Sequence, residues 1–214
     1  MRKKITLLLI ITLAGVLFSS CSGDKTTGAL PKNEANGQAP FQRNATPTPD
    51  AEVAVIEMEQ PAFGKIVIEL YPNVAPKMVA RFKELIKDGV YNGVTFHRIN
   101  PSVIQSGDPL SKDADPKNDG TGKSDKPNVP AEFSDIPYDT AIVGAARGAD
   151  INSSNSQFFI TLKREQGFDK RYTIFGKVID GMNNARTIAG VQPREGERPV
   201  EPVRIKSVTL QPHP

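Results

Sequence analysis

Three short runs hold the residues of this chain that could do chemistry: Phe96-His97-Arg98, Gln157-Phe158-Phe159 and Phe175-Gly176-Lys177-Val178. Each sets aromatic bulk beside a polar or cationic group, and none offers a nucleophile. Side chains alternate faces along a strand, so Gln157 and Phe159 share one face and Phe158 takes the other. Phe158 reads as core. A buried amide without a partner is costly, which makes Gln157 and Phe159 the wall and floor of an apolar surface site. Arg98 adds a permanently charged donor, although the tripeptide alone equally describes a solvated arginine. Such a set suits binding, or a reaction that breaks no covalent bond.

Other chemistries find little support. The chain has 2 histidines, and His213 lies in a proline-flanked tail, leaving His97 in a structured region. No Cys–His spacing suits zinc, and no Gly-x-Ser-x-Gly elbow accompanies His97. Gly120-Thr121-Gly122-Lys123 lacks the rest of a phosphate-loop pattern. No metal and no cofactor is expected. His97 is expected to hydrogen-bond within or beside the strands, and the 120–123 stretch to make tight turns.

The elements that must position these runs follow from periodicity. Residues 53–58 and 66–70 read as strands around a turn at Pro61-Ala62-Phe63-Gly64, with Ile66, Ile68 and Leu70 alternating with Val67 and Glu69. Over 75–87 the period becomes helical: Val79, Phe82 and Ile86 share a face, Pro76 suits the first turn and Gly89 the end. Strand signals recur at 94–99, 103–105, 140–143, 157–162, 172–178 and 203–210, with a short helix at 181–188 and a long polar loop over 108–128. The expected fold is mainly β: a closed eight-stranded antiparallel barrel capped by two α-helices, because closure removes sheet edges.

Residues 1–20 read as a bacterial secretory signal, with basic Arg2-Lys3-Lys4, an apolar run over 5–18 and small Ser19 and Ser20. The run of about 14 residues is short of the roughly 20 that a spanning helix needs. Cys21 is the only cysteine, and Leu17-Phe18-Ser19-Ser20-Cys21 resembles a lipoprotein processing box in which Cys21 is acylated. More than one acyl chain makes such anchoring stable. The chain is then expected on a bacterial membrane, facing the periplasm or the cell exterior; an ordinary secreted protein with a stray thiol is the alternative. Residues 21–50 are poor in large apolar groups, end in Thr46-Pro47-Thr48-Pro49, and read as a flexible linker to a single domain over 51–214. The formal net charge of +3 resides in Arg2, Lys3 and Lys4, so the mature chain lacks the dense basic face that nucleic acid calls for. A monomer is expected.

Several longer stretches then fall into one order and spacing. They are Gly64-Lys65-Ile66-Val67-Ile68-Glu69-Leu70-Tyr71, Tyr91-Asn92-Gly93-Val94-Thr95-Phe96-His97-Arg98-Ile99, Gln105-Ser106-Gly107-Asp108-Pro109, Pro130-Ala131-Glu132-Phe133, Ser156-Gln157-Phe158-Phe159-Ile160 and Tyr172-Thr173-Ile174-Phe175. Together they resemble the cyclophilin-type peptidyl-prolyl cis-trans isomerases over residues 51–210. The resemblance implies a site on the barrel's outer face. It places the catalytic arginine at Arg98, substrate-binding amides at Gln105 and Gln157, and the proline-pocket phenylalanine at Phe159. A backbone contact falls on Ala146 and Arg147, and the late pocket aromatic on Tyr172.

The chain departs from the family in three places. The 100–103 stretch is one residue shorter and lacks the family's aromatic, leaving Val103 as a pocket wall. Gly167 stands where some members have a cyclosporin-binding tryptophan, with Phe168 following, which implies weak cyclosporin binding. Asp169-Lys170-Arg171 replaces an Asp-Gly turn. The implied activity is isomerisation of X-Pro bonds in proline-containing polypeptide clients, assisting folding outside the cytoplasmic membrane. Two rivals stay open: a non-catalytic module or holdase that grips Pro segments, which the missing aromatic favours, and a structural envelope lipoprotein.

Overall fold

Period-two patterning builds the sheet. In β3 (Lys65–Leu70), Ile66, Ile68 and Leu70 are fully buried while the residues between them are not. The computed structural model describes residues 41–194 and 196–214, so the signal, Cys21 and the first part of the linker lie outside it. In chain order the other strands are β1 (Phe41–Gln42), β2 (Glu52–Met58), β4 (Arg98–Ile99), β5 (Val103–Ser106), β6 (Phe133–Ser134), β7 (Ile142–Ala145), β8 (Phe158–Thr161), β9 (Ile174–Asp180) and β10 (Ile205–Pro212). Two helices join them, α1 (Pro76–Lys87) and α2 (Met182–Ala189). Eight strands form one antiparallel sheet in the order β10-β2-β3-β9-β7-β8-β5-β4.

The sheet is a half-barrel and does not close, contrary to the expected closed barrel. Its edges, β10 and β4, share no ladder. Between the flanking segments there is an isolated bridge at Thr95 and Arg204. Backbone bonds also cross from Phe96 N to Val203 O (2.9 Å) and from Ile205 N to Val94 O (2.8 Å). The physical reason is local. Beyond the Thr95–Arg204 bridge the chain turns aside: Ile99 N donates to Glu197 O at 2.7 Å and Val200 N to Gln192 O at 2.9 Å, so the residues that would extend the seam form a separate hairpin. The strand expected over 94–99 is therefore reduced to Arg98–Ile99.

The inner face of the sheet and the two helices enclose the main core. Met78, Val79, Phe82, Leu85 and Ile86 supply the buried face of α1, and Ala185 and Ile188 that of α2. Phe82 is the hub, with ring centroids 5.0 Å from Tyr91, 5.4 Å from Phe158 and 5.1 Å from Phe175. Truncating such a ring costs about 3–5 kcal/mol. Ala75 gives α1 no side-chain cap; the Glu132 carboxylate substitutes, accepting from Lys77 N and Met78 N at 3.0 Å each. Burial pushes the Glu132 carboxyl above its usual range, although the two amides pull the other way.

Residues 41–50, the end of the stretch read as a flexible linker, are fastened to the domain. β1 pairs in parallel with β6, and the Asp135 carboxylate accepts from Asn44 N (2.7 Å) and Ala45 N (3.3 Å). Thr48 N donates to Asn73 Oδ1 at 2.9 Å, and Asp50 pairs with Lys83 at 2.9 Å. Polar and backbone bonds to distant residues do here what the segment's scarce apolar groups cannot.

Candidate active site

Strand register assembles the site. Arg98 on β4 stands opposite Gln105 on β5, and Gln105 stands opposite Phe159 on β8. Direct cross-strand partners project from the same face, so the three side chains lie in a row on the outside of the half-barrel. A chain of polar contacts runs through them. Arg98 Nε donates to Glu197 Oε2 at 2.6 Å, and Arg98 Nη1 approaches Gln105 Oε1 at 3.5 Å. Gln105 Nε2 donates to Gln157 Oε1 at 2.9 Å. Gln157 Nε2 donates onward to Gly120 O (3.1 Å) and Gly122 O (2.8 Å). The Arg98 side chain is ion-paired yet 44% exposed.

An apolar floor adjoins this row. Tyr71, Val74, Val103, Tyr138, Ile142, Phe159 and Ile174 form a second buried cluster, with Phe168, Tyr172 and Ala146 partly buried against it. The Phe159 ring is edge-on to Phe168 (5.3 Å) and Tyr172 (5.6 Å) and stacked with Tyr138 (5.7 Å). Val103, expected as a wall, is only 1% exposed and lies within that cluster as floor. The Arg147 guanidinium sits 4.7 Å from the Tyr172 ring centroid and donates to Arg171 O from Nε (3.1 Å) and Nη2 (3.0 Å). Ala146 N donates to Gln157 O at 3.0 Å. In the altered turn Lys170 itself takes a left-handed φ of 60°, a conformation that glycine adopts without steric cost. Asp169 ties the turn down by accepting from Tyr138 N at 2.8 Å and pairing with Arg164.

Three contributors were missed by sequence reasoning. Asp108 is fully buried; its carboxylate accepts from the amides of Leu110, Gly120 and Gly122. The glycine-containing loop thus does make tight turns, around the chain's own anion. The spacing of Asp108 ahead of two alternate glycines was the available signal. Asn100 Oδ1 accepts from Ser102 N and Val103 N at 2.8 Å each, closing the shortened β4–β5 turn. Glu197 comes from a loop 99 residues away from Arg98, and no local pattern announces it.

His97 lies beside the strands, close to Gln157 and the Thr95 backbone. It is 5% exposed, and among the described residues neither ring nitrogen meets a partner in well-formed hydrogen-bond geometry. Burial pushes its pKa down to about 4. The imidazole is therefore neutral near pH 7 and packs against Gly120, where a Cβ would come within 3.2 Å of its Cδ2.

An eight-stranded half-barrel with two helices and an outer row of arginine, amide and aromatic groups defines a class of binding or isomerising site without a nucleophile. Comparison with known proteins narrows it. The family described as "Cyclophilin type peptidyl-prolyl cis-trans isomerase/CLD" matches residues 54–210. A Brucella suis protein named "Probable peptidyl-prolyl cis-trans isomerase" is 39% identical over 153 residues, 69% of this chain and 78% of that protein. A peptidyl-prolyl cis-trans isomerase of Schizosaccharomyces pombe is 37% identical over 158 residues, 71% of this chain and 96% of its own length. A crystal structure of a Cryptosporidium parvum cyclophilin-type isomerase, determined in the presence of the dipeptide Ala-Pro, superposes with a TM-score of 0.67. It is 26% identical and covers 75% of this chain and 99% of its own. The chain belongs to the cyclophilin-type peptidyl-prolyl cis-trans isomerases.

Two predictions follow from the geometry. A Cβ at Gly144 would collide with Phe159 Cζ and Tyr138 Oη, so Gly144→Ala should push the Phe159 ring from its seat. Such overpacking costs about 1–3 kcal/mol. Thermal unfolding should show that loss, and peptide assays a raised KM; a variant matching wild type in both would refute the seat's stringency. The second concerns His97, whose folded pKa of about 4 lies below the ordinary 6.5. The unfolded chain accepts a proton in that window and the folded one refuses it, so stability falls as pH drops from 6.5 to about 4. At about 1.4 kcal/mol per unit, the loss is on the order of 3 kcal/mol. Denaturant titrations at both pH values should find this slope in wild type and a flatter one in His97→Gln; equal slopes would contradict it.

Proposed function

We propose that this isomerase acts on X-Pro bonds of proline-containing polypeptides outside the cytoplasmic membrane, assisting their folding, with Arg98 as the catalytic donor. The observation that carries this reading is the half-exposed Arg98 guanidinium, held between Glu197 and Gln105, two strands from the Phe159 floor. Rotation about a peptide bond faces a barrier of about 18–20 kcal/mol because resonance must be broken. At X-Pro bonds both isomers are populated and exchange takes tens to hundreds of seconds. A catalyst has only to bind the twisted amide better than either planar form. Twisting returns a lone pair to the prolyl nitrogen, to which a guanidinium can donate.

The site is arranged for that difference. Adjacent strands lie about 4.8 Å apart, so two strand spacings put Arg98 about 10 Å from Phe159 at the backbone. That span suits a proline ring on the floor with its amide under the guanidinium. Arg98 Nη2 has no acceptor among the described residues. Gln105 and Gln157 offer amide groups along the path of an extended peptide. The Ala-Pro dipeptide used with the Cryptosporidium parvum relative supports proline-containing substrates. The shortened 100–103 turn and the sunken Val103 favour one rival, a Pro-segment binding module, which would bind peptide tightly while leaving exchange at its background rate.

Arg98→Ala should leave the fold intact, because the side chain is half exposed. Loss of an oriented donor costs about 100- to 1,000-fold in rate, and a proline-peptide isomerisation assay should read a fall of that order. Unchanged turnover would remove Arg98 from the mechanism.

The same proposal includes anchorage through acylated Cys21 on a bacterial membrane, facing the periplasm or the exterior. It is supported by the basic, apolar and small-residue order of residues 1–21. Cys21→Ser should move the protein from the membrane to the soluble fraction and abolish palmitate labelling. Persistent membrane association would contradict lipid anchorage.

A further inference from the structure

We infer that Glu197 is a positioning residue for the Arg98 guanidinium, delivered by a loop remote in sequence; this rests on the role of Arg98 proposed above. The loop is a small hairpin. Val200 N donates to Gln192 O at 2.9 Å, and Pro193 bridges Pro199. The hairpin docks on β4 through Ile99 N, which donates to Glu197 O at 2.7 Å. That bond places the Glu197 side chain between Arg98 and the β4–β5 turn.

Both carboxylate oxygens are then engaged. Oε2 accepts from Arg98 Nε at 2.6 Å, and Oε1 accepts from Asn100 Nδ2 at 3.0 Å. The guanidinium is planar, and its donors form a rigid fork. Gripping Nε while Gln105 meets Nη1 fixes the plane and leaves Nη2 without an acceptor among the described residues. Asn100 couples the same carboxylate to the shortened turn, since its Oδ1 holds Ser102 N and Val103 N. Neighbouring Arg198 does not compete for it, being turned to Asp119 O at 3.0 Å.

Backbone conformation supplies an independent argument. Glu197 has φ of 62°, the left-handed region that residues with a Cβ occupy at a cost. Strain of this kind persists where surrounding structure enforces it, commonly at functional sites. A glycine would satisfy the turn without strain. The side chain at this position is therefore explained by its contacts, not by the turn.

That distinction makes the test discriminating. Glu197→Gly keeps the backbone and removes the carboxylate, so the melting temperature should hold or rise while kcat falls. Misplacing a reacting group by about 1 Å can cost on the order of 100-fold; a fall of about tenfold or more, with KM nearly constant, is expected. Glu197→Gln, which keeps an acceptor for Arg98 Nε, should recover most of the loss. In an Arg98→Ala background Glu197→Gly should have no further effect. Unchanged kcat in Glu197→Gly, alongside an inactive Arg98→Ala, would overturn the positioning role alone. Wild-type turnover in Arg98→Ala would overturn the underlying reading, and this one with it.

Discussion

The site depends on holding a guanidinium at the surface without either burying it or letting it wander. A buried arginine would spend its donors on internal partners, and a solvated one would sample many orientations. The polar chain from Glu197 through Arg98, Gln105 and Gln157 to the Gly120–Gly122 carbonyls occupies the middle ground. Its two ends are anchored in different ways. One end is the hairpin docked on β4; the other is a loop wrapped around the fully buried Asp108 carboxylate. Loss of either end would leave the central amides intact but free to turn.

The apolar half of the site rests on packing. Phe159 lies between Tyr138, Phe168 and Tyr172, and it fits because residue 144 has no Cβ. The floor belongs to a cluster separate from the main core around Phe82 and Phe158. Consecutive residues Phe158 and Phe159 thus serve opposite faces of β8, one packed in the main core and the other in the outer cluster that would bear the substrate under the proposed function. This division allows the outer cluster to vary, as at the short 100–103 turn, without rewriting the core.

Much of this was legible in local pattern. Alternation placed β2, β3, β8 and β9 to within a few residues, and the split of Gln157 and Phe159 from Phe158 needed only the two-residue period. What was not legible depends on distant partners. Closure of the barrel stops at the Thr95–Arg204 bridge, beyond which Val200 N turns to Gln192 O and Ile99 N to Glu197 O, pairings that no strand signal marks. The docking of residues 41–50 relies on Asp135, about 90 positions along the chain. Glu197 stands 99 positions from Arg98 and has the composition of an ordinary polar loop. Val103 has the expected identity but is almost fully buried in the same outer cluster as Phe159.

The most direct test of the central claim is side-chain NMR of Arg98 while an Ala-Pro peptide is added. An oriented guanidinium predicts a protected Nε–H signal in the free protein, slow rotation about its Nε–Cζ bond, and a shift that tracks the Phe159 ring as peptide binds. A freely averaging Arg98 that stays silent while Phe159 responds would contradict the account.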